Sequence, residues 1–135
     1  MHAESSFSHL DFSTDQTLKT MSRYLKDSNR ICFLAWSDEE PVGIIAAYAS
    51  DYYFSKQRVS SDIAWFVSRK KRGSTIGIRL LSAYEKWAKD QGVSEVRMGI
   101  ETGVNVEAFD SLMKKRGYDC VGRNYRLEMS NETYA

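Results

Sequence analysis

The chain has 135 residues, 42% hydrophobic and 27% charged, with 19 Lys and Arg against 18 Asp and Glu for a net charge of +1. That length fits one domain over residues 1–135 with a buried core, and the composition excludes wholesale disorder. Near-neutral charge argues against nucleic acid as a partner, the single Pro41 excludes proline-rich and collagen-like classes, and no run approaches the roughly 18 apolar residues of a membrane span.

Residues 1–12 read as a loose start with a short strand around 6–12. The first sixteen residues lack the basic flank and apolar run of a secretion signal, so a cytoplasmic location and no membrane partner are expected. Residues 14–27 predict a helix capped by Ser13 or Thr14, with Leu18, Met21, Tyr24 and Leu25 on one face. Two strands follow at 31–36 (ICFLAW) and 42–53, joined as a hairpin by SDEEP. A third strand covers 58–67, where Val59, Ile63, Trp65 and Val67 share one parity and Ser60, Asp62, Ala64 and Phe66 the other.

A basic turn at 68–77 (SRKKRGSTIG) leads into a strong helix over 75–90. Its apolar stripe is Ile76, Leu80, Leu81, Tyr84, Trp87 and Ala88, and Gly92 ends it. Residues 95–100 alternate as a strand. Residues 105–116 predict a second amphipathic helix with Ala108, Phe109, Leu112 and Met113 inward, stopped by Gly117. Residues 118–121 and 124–129 read as closing strands. The class is α/β, as a mixed layered fold. Cys32 and Cys120 are expected as free, buried thiols rather than a disulfide. His2 and His9 have no metal-ligand spacing with them, so no metal is expected.

The stretch 65–81 (WFVSRKKRGSTIGIRLL) carries the most chemistry. A strand runs into a basic, glycine-containing turn and straight into a helix. A helix start offers unpaired N–H groups and a positive partial charge, glycine lets a phosphate approach the backbone, and Arg and Lys add attraction. The reading from the residues alone is either an anion site or a solvated charged loop.

This stretch resembles the signature of the GNAT N-acetyltransferases, Arg/Gln-x-x-Gly-x-Gly/Ala after a strand ending in Val. Arg72 and Gly77 match, and Thr75 stands where the family's middle glycine lies. SAYEKWAKDQGVSEVRMGI, MKKRGYDCVGRNYRLEM and DEEPVGIIAAY resemble further family segments in the right order, so the resemblance spans about 31–129. It implies a mixed, mostly antiparallel sheet with a V-shaped splay, flanked by helices, and acetyl-CoA as cosubstrate in the opening. The pantetheine arm would pair with backbone at Phe66, Val67 and Ser68. The pyrophosphate would lie on the N–H groups of Arg72, Gly73, Ser74, Thr75, Ile76 and Gly77, and the Thr75 hydroxyl would add a contact. Asn105 is either a contact to the cofactor arm or a helix cap.

The resemblance also implies the reaction: acetyl transfer to a primary amine of a small molecule or protein. Asp62 is the candidate base, and its plain alternative is a strand-edge carboxylate facing water. The family's usual tyrosine acid aligns with Met113, which cannot donate a proton. Tyr84, Tyr118 and Tyr125 are the alternatives, with Tyr125 carried as the candidate acid. A non-catalytic acyl-CoA-binding module is the competing function. The aromatic cluster Tyr48, Tyr52, Tyr53 and Phe54 reads as an acceptor-pocket wall, a homodimer contact or a partly exposed strand end.

Overall fold

The computed structural model describes residues 1–129. Its elements run α1 (Thr14–Tyr24), β1 (Arg30–Ser37), β2 (Glu40–Asp51), β3 (Arg58–Val67), α2 (Ile76–Asp90), β4 (Glu95–Arg97) and α3 (Val106–Lys115). Single 3-10 turns lie at His2–Glu4 and Arg69–Lys71. The sheet order is β1-β2-β3-β4; the first two pairings are antiparallel and β3–β4 is parallel. Helices flank this mixed sheet. Among the described residues no helix is long and apolar enough to cross a membrane.

Alternation puts Ile31, Phe33, Ile45 and Ala47 on one face of the sheet, and α2 lies over it with Leu80, Leu81, Tyr84 and Ala88 buried. Met113 of α3 completes this core. Each large side chain sealed here is worth about 1.5–3 kcal/mol. Gly43 lets α2 approach: a Cβ there would stand 3.0 Å from Leu80 Cδ1 and 3.1 Å from Ile76 Cγ2. The first turns of α2 therefore rest directly on β2, which fixes the helix start beside the end of β3.

β3 carries a bulge. Ala46 faces Ala64 while Ala47 faces Asp62, so Ile63 has no partner on β2. The extra residue reverses the alternation within the strand. Ser60 and Asp62 below it share the α2 side with Trp65 and Val67 above it, in place of the strict two-residue parity expected from the sequence.

β1 and β2 meet in a two-residue turn at Asp38 (φ 47°) and Glu39 (φ 67°). Left-handed backbone at both positions suits the twist of a hairpin.

Several expectations are corrected. α1 ends at Tyr24 rather than 27, capped by Ser13, whose side chain accepts the Gln16 N–H at 3.1 Å. Only Tyr24 of its expected inner face is buried; Leu18 and Leu25 are exposed because α1 meets little beyond β1. The strand expected at 6–12 is a run of turns, closed in part by local hydrogen bonds: Ser5 Oγ donates to His2 O at 2.8 Å and accepts from Phe7 N–H at 3.2 Å, and the Ser8 and Leu10 N–H groups donate to Ser5 O and Phe7 O. The closing strands at 118–121 and 124–129 do not form. The segment after Tyr118 is exposed and is tied by side chains, such as Asn124 Nδ2 to Glu101 Oε1 at 2.9 Å; alternation without a paired edge makes no strand. Cys32 and Cys120 are free thiols, and neither is buried as expected: Cys32 is half-buried and Cys120 exposed.

Candidate active site

β3 and β4 pair only as far as Ser61 opposite Arg97. Among the described residues β3 then runs on to Val67 with no strand paired on that side, while the chain after β4 turns away. The opening is a groove of about 730 Å³. One wall is β3 from Asp62 to Val67, the other is Gly99 to Thr102, and α3 closes it with Ala108, Phe109 and Leu112. The turn before α2 forms one end with Lys71, Arg72, Gly73, Ser74 and Gly77.

That end offers groups that can hold an anion. Gly73 holds φ +83°, a conformation that side chains resist, and a Cβ there would meet nothing within 4 Å. α2 starts at Ile76, so the N–H groups of Gly77 and Ile78 precede any intrahelical acceptor. Ser74 Oγ takes the Ile76 N–H only loosely, at 3.4 Å. Arg72 is steered by its own backbone neighbour: Nε donates to Val67 O at 3.0 Å, and the guanidinium lies 5.3 Å from the Phe66 ring centre. Its terminal nitrogens grip the Glu4 carboxylate, which Arg69 Nε also holds at 2.6 Å. These hydrogen bonds from Arg72 and Arg69 lower the Glu4 pKa to about 2.

At the other end Asp62 Oδ1 accepts the Gly99 N–H at 2.9 Å, across the point where the strands part. Burial raises the Asp62 pKa to about 6 against the pull of that hydrogen bond. A carboxylate with this pKa is ionised at neutral pH and is a stronger base than an exposed one. Asp62 is thus a half-buried group at the splay, not the water-facing strand edge of the plain alternative.

The groove brings together Asp62, Phe66, Val67, Arg72, Gly73, Ser74, Gly77 and Asn105. Asn105 has left-handed backbone (φ 52°) and makes no side-chain cap bond to α3. Ser68, Thr75 and Ile76 do not line the groove, and Thr75 is exposed. Tyr125 does not line it either: it is 87% exposed on the unpaired tail, because the strand expected to carry it does not form.

The other tyrosines are committed elsewhere. Tyr84 Oη lies 2.9 Å from Ser60 Oγ and 3.3 Å from Arg97 O inside the core, and burial raises its pKa. Tyr118 donates to Glu85 Oε1 at 2.9 Å beside the Arg116–Glu85 ion pair, and burial again raises its pKa. Met113 packs in the core; its neighbour Leu112 is the one that reaches the groove. The aromatic cluster at Tyr52, Tyr53 and Phe54 stacks on itself away from the groove.

Among the groove residues that sequence reading missed, three carry polar groups of consequence. Trp65 and His2 each place a ring nitrogen in a buried position with no hydrogen-bond partner, Trp65 Nε1 and His2 Nε2. Unpartnered buried nitrogens of this kind fit a groove that takes a polar, hydrogen-bonding occupant. Glu4 is the third, and its distance in sequence from Arg72 gave no signal.

The sequence matches the model of the acetyltransferase (GNAT) family over residues 2–118. No curated protein matches it significantly. Among solved structures, an aminoglycoside 6'-N-acetyltransferase from Acinetobacter haemolyticus superposes with a TM-score of 0.70 at 17% identity, covering 89% of this chain and 83% of that one. The aminoglycoside N-acetyltransferase AAC(6')-Iy, in complex with the bisubstrate analogue CoA-S-monomethyl-acetylneamine, gives 0.73 at 17% identity, with 90% and 84% covered. A transcriptional regulator from Bacillus halodurans gives 0.72 at 17% identity, with 85% and 76% covered. At these identities the likeness is one of fold.

Proposed function

Since the chain belongs to the GNAT acetyltransferase family, we propose that it is an acetyl-CoA-dependent N-acetyltransferase acting on a primary amine of a small molecule or protein. The observation that carries this reading is the single groove joining an anion-holding turn at Arg72–Ser74 and Gly77 to the half-buried Asp62. Arg72, the N–H groups at the start of α2 and Lys71 would hold the phosphates. The exposed backbone of Phe66 and Val67 and the unpaired Trp65 Nε1 would hold the polar arm. Bound acetyl-CoA supplies an activated acetyl group as a thioester.

Asp62 takes the proton from the incoming ammonium, directly or through a water, so that the amine is neutral when it reaches the acetyl carbon. The bulge at Ile63 turns Asp62 and Trp65 to the same side and so positions the carboxylate. Phe109 and Leu112 would give the amine an apolar wall, and among the described residues no phenol lines the groove to protonate the departing thiolate. Coenzyme A thiolate leaves without that help.

The test is thiol release from acetyl-CoA over a panel of primary amines. Small multi-amine molecules come first, a choice supported by the aminoglycoside enzymes among the structural neighbours. Turnover with any member that falls with Asp62→Asn supports the reading; coenzyme A binding with no turnover across the panel leaves the second reading. That second reading, an acyl-CoA-binding module without catalysis, is favoured by one observation: among the described residues no tyrosine lines the groove.

A further inference from the structure

The chain's own N-terminus lies in the groove. His2, Glu4, Ser5 and Phe7 contribute to its lining. On the β4 side the Ser6 N–H donates to Thr102 O at 2.6 Å and Ser6 Oγ to Glu101 O. On the opposite side Glu4 is clasped by Arg69 and by both terminal nitrogens of Arg72. The segment therefore bridges the two walls of the splay. Its carboxylate, with a side chain only 14% exposed, sits on the arginine that the turn offers to an anion.

We infer that residues 1–12 are a built-in competitor for the groove, with the Glu4 carboxylate holding the place of a cofactor phosphate on Arg69 and Arg72. This rests on the acyl-CoA reading above. A planar guanidinium takes a carboxylate or a phosphate with the same two-pronged geometry, so one can replace the other. Besides these the segment is tied by Arg126 Nη1, which donates to Ser6 O, and Ser5 is buried, while the segment's large apolar side chains make little core. Phe12 and Leu10 are largely exposed, and His2 Nε2, a polar ring nitrogen, is buried with no hydrogen-bond partner among the described residues, which weighs against the closed arrangement. A segment with few apolar contacts opens at low cost. In the open state the phosphates take Arg69 and Arg72, and Glu4 moves to water.

Two consequences are measurable. Only the open fraction of the protein binds cofactor, so apparent affinity is reduced by that fraction. Conversely, cofactor binding must release the segment, because the coupling is reciprocal.

The experiment uses the full chain and coenzyme A itself. Titration calorimetry compares wild type, Glu4→Gln, Glu4→Lys and the remote charge control Asp15→Asn. Hydrogen exchange follows residues 1–12 with and without coenzyme A. The expected result is tightening of about fivefold or more for both Glu4 variants, none for Asp15→Asn, and faster exchange of residues 1–12 in wild type once coenzyme A is bound. Coenzyme A binding that is equal or weaker in the Glu4 variants, or a segment whose exchange does not respond, overturns the inference and leaves the cofactor reading standing. Coenzyme A binding to neither wild type nor Glu4→Gln overturns both, with the cofactor reading failing first.

Discussion

The Asp62 carboxylate is hydrogen-bonded to the Gly99 N–H where β3 and β4 separate, so the candidate base also ties the two walls of the groove together. Asp62→Asn keeps an oxygen for Gly99 and removes the base. The acetylation rate should fall roughly 100-fold or more with coenzyme A affinity nearly intact. In wild type the rate should fall as pH drops through about 6. A rate that barely changes in the variant would hand proton removal to water.

The same residue predicts a stability effect of opposite sense. Burial lifts its pKa from 3.8 in the unfolded chain to about 6, so the folded state binds the proton more tightly. Stability is therefore lost as pH rises from about 4 through 6, where the buried group must ionise. Asp62→Asn should be more resistant to urea than wild type at pH 8, and this advantage should vanish near pH 4. Equal midpoints at both pH values would mean that the carboxylate is well solvated.

Gly77→Asp tests the anion end. A Cβ at Gly77 would meet Trp65 Cζ2 and Val67 Cγ2 at 3.5 Å, an ordinary contact, so the variant should fold. Coenzyme A binding should weaken at least tenfold, about 1.4 kcal/mol, through charge repulsion and lost space. Thr75→Val should change it by no more than about twofold, since an exposed hydroxyl outside the groove contributes within about 0.5 kcal/mol. The opposite ranking in calorimetry would move the phosphate site toward Thr75.

Placing a phenol in α3 separates core from groove. Met113→Tyr adds bulk to a side chain that is already 7% exposed in the core and should cost about 1–3 kcal/mol in urea unfolding. Leu112→Tyr instead carries a hydroxyl into the groove. If protonation of the thiolate limits turnover, Leu112→Tyr should raise the rate of thiol release and Met113→Tyr should not.

Glu39 holds left-handed backbone without being glycine. That conformation costs an L-residue about 1–2 kcal/mol. Glu39→Gly should raise the urea midpoint, by about 1 kcal/mol in stability, and leave coenzyme A affinity unchanged. An unchanged midpoint would mean that the β1–β2 turn carries no strain.

The parts of this fold that were legible share one property: their signal is local and repeated. The stripe Leu80, Leu81, Tyr84 and Ala88 declares α2 four times over, and the strand–turn–helix at Trp65–Leu81 is legible by adjacency in sequence. The parts that were not legible depend on single events or distant pairs. Ile63 shifts the register of β3 by one residue, and nothing in an apolar run marks which residue is extra. Glu4 reaches Arg72 from 68 positions away. The choice among tyrosines turned on where each hydroxyl finds its partner, Ser60 for Tyr84 and Glu85 for Tyr118, and spacing carries no record of that.

The bulge also sets what kind of mutation this site is sensitive to. A substitution at Ile63, 43% exposed on the groove wall, changes one side chain and leaves the register of β3 as it is. Deletion of that one codon would restore strict alternation and swing Ser60 and Asp62 to the far side of the sheet. Tyr84 would lose its hydroxyl partner and the groove its carboxylate in a single step. A chain built this way loses or re-aims its carboxylate through changes in length as readily as through changes in residue type, and a comparison of relatives that scored substitutions alone would overlook that route.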